Sequence, residues 1–165
     1  MHVICKKGAD FIYTDENKFQ KTPRKGYCPH FKPDYAPDAL QANNYICHFS
    51  VFEKKLLDTV GRFSTECNGS QDYDMVLWLT EQAQRIVHIP MILYHWHEHP
   101  NSVAGSIDAK PYVIEAVHQA IEDHLDRVGL RGEILDTVVP SMYRIRYDIR
   151  PTADFHYHSE QKSCG

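Results

Sequence analysis

Gly69-Ser-Gln-Asp-Tyr-Asp74 runs into a segment whose apolar side is made by Met75, Leu79 and Trp78, ending near Gln84. Asp72 opens this segment as a helix, and Asp72 and Asp74 stand where carboxylates complement the positive end of a helix dipole. Directly after it, Arg85-Ile-Val-His-Ile89 and Met91-Ile-Leu-Tyr94 are short runs rich in β-branched residues, the pattern of strands. A helical period giving way at once to strands assigns the chain to the α/β (or α+β) class, with a small mixed sheet flanked by helices.

Towards the N-terminus, Ala9-Asp-Phe-Ile-Tyr13 reads as a short buried strand ending at an acidic turn, Thr14-Asp15-Glu16-Asn17. Lys18 to Pro37 mixes lysines, prolines and aromatics with no period, which predicts an extended loop pinned by Tyr27, Phe31 and Tyr35. A short helix is expected from Pro37 to Asn43, a strand from Tyr45 to Phe52, and a helix from Glu53 to Val60 stopped by Gly61. Towards the C-terminus, Val113, Ile114, Val117, Ile121, Leu125 and Val128 recur every three or four residues, an amphipathic helix over 110–128 closed by Gly129. Ile134 to Tyr147 suits one strand or a broken pair, and the tail from Pro151 has no clear period. The expected division is 1–130 as the main domain and 131–165 as a strand, linker and tail.

The chain has 165 residues, with 18 basic and 22 acidic side chains and a net charge of -4. Such a balance argues against a nucleic-acid binder, which gathers a basic excess on one face. There is neither a run of about 18 apolar residues nor a secretory leader. The expected location is therefore cytoplasmic, compatible with peripheral attachment at the inner face of the membrane. Cys5, Cys28, Cys47, Cys67 and Cys164 are odd in number and widely spaced, which favours reduced thiols over a disulfide framework or zinc ribbon. Asn68-Gly69-Ser70 fits a glycosylation acceptor only by coincidence if the chain is not secreted.

Three clusters can carry chemistry. Asp15-Glu16 stands at a strand end, where α/β sheets bind ligands, though a solvated acidic turn looks the same. Asp72 and Asp74, after Gln71, place carboxylates at the mouth of a cleft. One of them is a candidate general base for a hydroxyl, and simple helix capping is the alternative. His95-Trp96-His97-Glu98-His99 sets three imidazoles on one face if the strand continues, a candidate zinc site or merely a histidine-rich loop. Trp96 could stack on a sugar or a base. His48, His88, His118 and His124 read as surface positions, and Trp78 as core.

Taken in order, several pieces resemble the second half of a family 2, GT-A type glycosyltransferase of bacterial polysaccharide and O-antigen assembly. They are Ala9 to Asn17, His30 to Leu40, Asn43 to His48, Leu56 to Phe63, Gly69 to Asp74 and Arg85 to Trp96. The resemblance implies inverting transfer from a nucleotide-sugar donor to a glycan acceptor. By that likeness Asp72, preceded by Gln71, takes the acceptor proton, Asp74, Trp96 and Asp15 belong to the substrate site, and His95 contacts a divalent metal (manganese or magnesium). The Asp-x-Asp metal motif and the nucleotide-binding region of the family have no counterpart here, so the expected fold is a partial GT-A fold without its N-terminal half. That implies exposed sheet edges, self-association or pairing with a separate N-terminal half, and doubtful activity alone. The alternatives are a non-catalytic glycan- or partner-binding module and a histidine-dependent metal hydrolase.

Overall fold

The computed structural model describes residues 8–65, 67–98 and 111–148. Its architecture is mixed α/β. Strand β1 (Phe11–Phe19) is the centre of a four-stranded sheet. Strand β4 (Ile86–His97) runs parallel along one edge of β1. The other edge is shared by two antiparallel partners, with β3 (Ser50–Phe52) beside Phe11 to Tyr13 and β2 (Tyr27–His30) beside Glu16 to Lys18. Among the described residues the outer edge of β4 has no strand partner.

Phe11 to Glu16 are all buried, because neighbours on both edges and helices against the sheet leave β1 no solvent face. That corrects the expected acidic turn. Asp15 and Glu16 lie inside the strand, Asp15 against His88 and the Lys32 N–H, Glu16 against the Lys32 ammonium and the His48 N–H. The anticipated loop after Lys18 also contains a short 3-10 turn (Pro23–Lys25) and strand β2. The strand expected over 45–52 is cut to Ser50–Phe52, since Tyr45 to Phe49 leave the ladder to reach the buried end of Lys32. The two strands expected on either side of Pro90 form one strand. Proline has no N–H for the ladder, and the pairing with β1 slips between Ile89 and Ile92 to let it pass.

Helices α1 (Pro37–Ala42), α2 (Lys54–Val60), α3 (Gln71–Gln82) and α4 (Pro111–Arg127) complete the main body. Gly61, at φ 92, ends α2 where an L side chain would be strained. Helix α3 begins one residue earlier than expected, after Ser70. Asp72 and Asp74 therefore sit in its first turn, where they complement the dipole rather than cap the end. The core joins Phe11 and Tyr13 to Leu40, Ile46, Tyr73, Leu77 and Leu79, and to Ala120, Ile121 and Leu125 of α4. Burying side chains such as Ile121 and Leu125 contributes roughly 1.5–3 kcal/mol each. Val128, by contrast, is exposed at the last turn.

A second sheet is the hairpin β5 (Gly132–Asp136) and β6 (Tyr143–Tyr147). Ile134, Tyr143 and Ile145 pack on the core, and Tyr147 donates from its hydroxyl to Gln41. The reading of Ile134 to Tyr147 as a broken pair of strands is therefore the one the structure takes. Among the described residues no helix is long and apolar enough to cross a membrane.

Candidate functional site

Side chains alternate along a strand, so Glu16 and Lys18 of β1 share a face with their partners Tyr94 and Trp96 of β4. Asn17, His95 and His97 point the other way. Above the first face lies a groove of about 330 Å³, lined by Lys18, Trp96, Asn44, Cys47, Tyr73 and Tyr143 among others. The Lys18 ammonium sits 5.1 Å from the centre of the Trp96 ring. Tyr73 is fixed by donating its hydroxyl to the carbonyls of Leu40, at 2.5 Å, and Gln41, at 3.1 Å. Burial pushes its pKa well above the ordinary phenol value, so it acts as a neutral wall. The result is a cleft with an aromatic floor and a cationic lip.

Asp72 is exposed at the start of α3. Ser70 and Tyr73, on either side of it, line this groove. Asn44, also a lining residue, directs its amide at Asp72 Oδ2 from 3.5 Å, a loose contact. The carboxylate therefore stands at the rim, free to take a further partner. Gln71 is beside it and donates to Asn68 Oδ1 at 2.7 Å. Asp74, two residues on, turns away from Asp72 as the helical angle requires. It is buried next to a separate cavity of about 200 Å³ with Arg62, Trp78 and Asp123. Its pKa is raised, chiefly by burial and against the pull of Arg127, and its Oδ1 has no hydrogen-bond partner among the described residues.

Asp15 is occupied by the protein itself. Its Oδ1 accepts from the Lys32 backbone N–H at 3.0 Å and lies 2.8 Å from His88 Nε2. His95 Nδ1 lies 2.6 Å from Asn17 Oδ1, and His97 Nε2 lies 2.9 Å from the Gln20 carbonyl while its ring stacks on Phe19. His99 falls outside the described residues. Trp96 thus lines the groove and Asp72 lies beside it through Asn44, whereas His95, Asp74 and Asp15 are each elsewhere. Near His95 the described residues offer no set of three metal-capable side chains. A manganese or magnesium ion, which prefers several oxygens, does not fit these residues.

Beneath the groove several polar residues meet, among them His48, whose expected place is the surface. The Lys32 side chain is wholly buried, its ammonium 3.3 Å from Glu16 Oε2. It also donates to the Ile46 carbonyl at 2.6 Å and to that of His48. His48 stacks on Tyr94 with centroids 4.9 Å apart, and its backbone N–H donates to Glu16 Oε2 at 3.2 Å. Desolvation would raise the Glu16 pKa, but His30, His48 and Lys32 outweigh it and hold the carboxyl well below the usual range. Burial lowers the Lys32 pKa, opposed by Glu16. His124 is likewise buried, 2.7 Å from Glu81, which Arg127 also grips through two nitrogens. No local sequence signal marks these groups, because their partners come from distant segments.

No family model matches the chain. It is 41% identical over 148 residues to the uncharacterized protein y4gI of Sinorhizobium fredii (strain NBRC 101917 / NGR234), across 87% of this chain and 16% of that protein. It is 33% identical over 141 residues to the O-antigen biosynthesis protein RfbC of Myxococcus xanthus, across 86% of this chain and 11% of that protein. The chain therefore spans less than a fifth of either relative's length.

Proposed function

We propose that this chain is the acceptor-side portion of an inverting GT-A type glycosyltransferase that acts in polysaccharide assembly. The observation that carries the reading is Asp72 at the rim of a groove floored by Trp96 and walled by Tyr73. The similarity to RfbC, an O-antigen biosynthesis protein, supports the same direction. In this reading a glycan acceptor lies along the groove, with a sugar ring against the Trp96 face. Asp72, hydrated and unburied, accepts the proton of the attacking hydroxyl as the new glycosidic bond forms. Gln71 and Asn44 orient the acceptor at the rim, and Lys18 supplies positive charge beside it.

The nucleotide-sugar donor and its divalent cation would be bound largely by residues beyond this chain. Among the described residues the outer edge of β4 has no strand partner, which is compatible with a further strand joining there. A glycan-binding module without catalysis is the second reading, favoured by the same aromatic floor, which would hold a sugar with or without transfer. The histidine hydrolase reading draws less support, because one nitrogen each of His95 and His97 already has a protein partner.

Transfer assays with a panel of nucleotide sugars and manganese, in a preparation that includes the donor-binding half, separate these readings. Asp72→Asn is expected to lower the transfer rate by roughly 10²–10⁴-fold, the usual worth of a general base. A variant that transfers at the unmutated rate would remove Asp72 from the chemistry. Glycan binding with no donor binding at all would favour the second reading.

A further inference from the structure

The cavity beside Asp74 lies apart from the groove and has no role in the proposed transfer. It measures about 200 Å³, and three segments far apart in sequence wall it. Val60 and Arg62 come from the end of α2 and the loop after it, Asp74, Met75 and Trp78 from α3, and Asp123 from α4. Asp74 is only 5% exposed, yet its Oδ1 has no hydrogen-bond partner among the described residues. Arg62 is exposed. Among the described residues the arginines in ion pairs are Arg127 and Arg146, not Arg62. One cavity thus holds a buried carboxylate oxygen without a donor and a guanidinium without an acceptor.

A buried carboxylate oxygen left without a donor is destabilising, and the nearby side chains do not relieve it. Arg127 is held in a fork on Glu81 through two nitrogens. Asp123 and Glu81 add negative charge, which pushes the Asp74 pKa up in the same direction as burial. Gln119 engages only Oδ1 of Asp123, at 2.8 Å. The buried end of the cavity is therefore acidic and lacks N–H donors. Val60, Met75 and Trp78 make the rest of the wall largely apolar. A divalent metal is a poor match, because among the described residues Asp74 and Asp123 gain no third metal-capable side chain. The volume is below that of pockets for drug-sized ligands, which excludes an oligosaccharide.

We propose that this cavity binds a free α-amino acid with an aliphatic side chain, its ammonium donating to Asp74 Oδ1 and Asp123 and its carboxylate accepting from Arg62. The ammonium brings the donor and the positive charge that the buried end lacks. The guanidinium is a planar fork of donors that meets a carboxylate in two parallel hydrogen bonds. The aliphatic side chain lies against Val60, Met75 and Trp78. Neither a simple amine nor a simple carboxylic acid satisfies both ends. The site stands or falls separately from the transferase reading.

L-Leucine is the first probe, followed through the indole N–H NMR signals of the full chain. Saturable binding should shift the Trp78 signal and leave Trp96, which lines the separate groove, unmoved. Isopentylamine and isocaproate each lack one of the two charged groups. Each should bind at least about tenfold more weakly than leucine, since a charge-assisted hydrogen bond is lost. Asp74→Asn should weaken leucine binding by a similar factor. Arg62→Gln alters only an exposed loop side chain, which keeps the test valid if the Asp74 variant misfolds, and it should abolish the preference for leucine over isopentylamine. A Trp78 signal that stays still with L-alanine, L-valine and L-leucine up to about 10 mM, already very weak binding, would overturn the proposal. So would equal affinity for leucine and isopentylamine in the unmutated protein, or an Arg62→Gln variant that keeps the full preference.

Discussion

Replacing Lys32 with methionine keeps the length and apolar stem of a wholly buried side chain and deletes only its charge. Three oxygens lose their donor: Glu16 Oε2 at 3.3 Å, the Ile46 carbonyl at 2.6 Å and the His48 carbonyl. Removing one partner of a buried ion pair costs about 3–5 kcal/mol, because the other is left uncompensated. Glu16 keeps the His48 N–H and two imidazoles, which sets the expectation at the lower end, about 3 kcal/mol. Urea denaturation at pH 7 should show this as a lower midpoint with an unchanged slope. The deficit should also depend on pH with a definite sign. The Glu16 pKa is depressed from 4.5 in the folded chain, so its stabilisation is present above about pH 4.5 and is lost as pH falls towards the folded value. Without Lys32 less of that stabilisation exists to lose, and the gap between variant and unmutated protein should narrow below about pH 4. A loss under about 1 kcal/mol at pH 7, or a gap that widens in acid, would refute the account of Lys32 as the pin of the 46–48 segment.

Gly69 has φ +104, and a Cβ there would meet Tyr112 Cε2 at 2.9 Å. Gly69→Ala should cost roughly 1–3 kcal/mol from backbone strain and crowding, read as a lower melting temperature. Arg127→Ala removes the fork on Glu81 and the guanidinium 4.2 Å from the Trp78 ring. With His124 still on Glu81 and Arg127 partly solvated, about 2 kcal/mol should be lost in urea denaturation. The unmutated chain should be most stable between about pH 4.5 and 6.5. Below that window the Glu16 contribution fades. Above it the His48 contribution, complete below its ordinary value of 6.5, declines until pH passes about 10. Thermal melts across pH 3–11 check this.

Periodic apolar residues made α3, α4 and the class of the fold legible, because Val117, Ile121 and Leu125 can share a helix face in only one way. Glycines 61 and 129 marked helix ends through their freedom at positive φ. What pattern could not give was pairing. Asp15-Glu16 looks like a solvated turn in one dimension and becomes the middle of a strand only once β2 and β4 lie beside it. Pro90 reads as a break, yet a slip in register carries the strand past it. The candidate site divides the same way. Trp96 and Asp72 were visible as residue types, and their proximity depends on Asn44, from a distant segment, which lines the groove with Trp96 and reaches Asp72. Asp74, two helix residues from Asp72, and His95, one strand residue from Trp96, are turned elsewhere by periods of 3.6 and 2. Lys32, Cys47 and His48 carry no spacing signal, since their partners come from distant segments.

The chain contains two tryptophans, Trp78 and Trp96. Only Trp96 lines the groove, while Trp78 lies under Arg127. An NMR titration with polysaccharide-derived oligosaccharides that follows both indole N–H signals therefore asks directly whether the groove receives a sugar. The account predicts a saturable shift of the Trp96 signal with Trp78 unmoved, and an affinity roughly two- to tenfold weaker in Trp96→Ala, since aromatic stacking is worth about 0.5–1.5 kcal/mol. A Trp96 signal that stays still across the whole panel, or moves only together with Trp78, would contradict it.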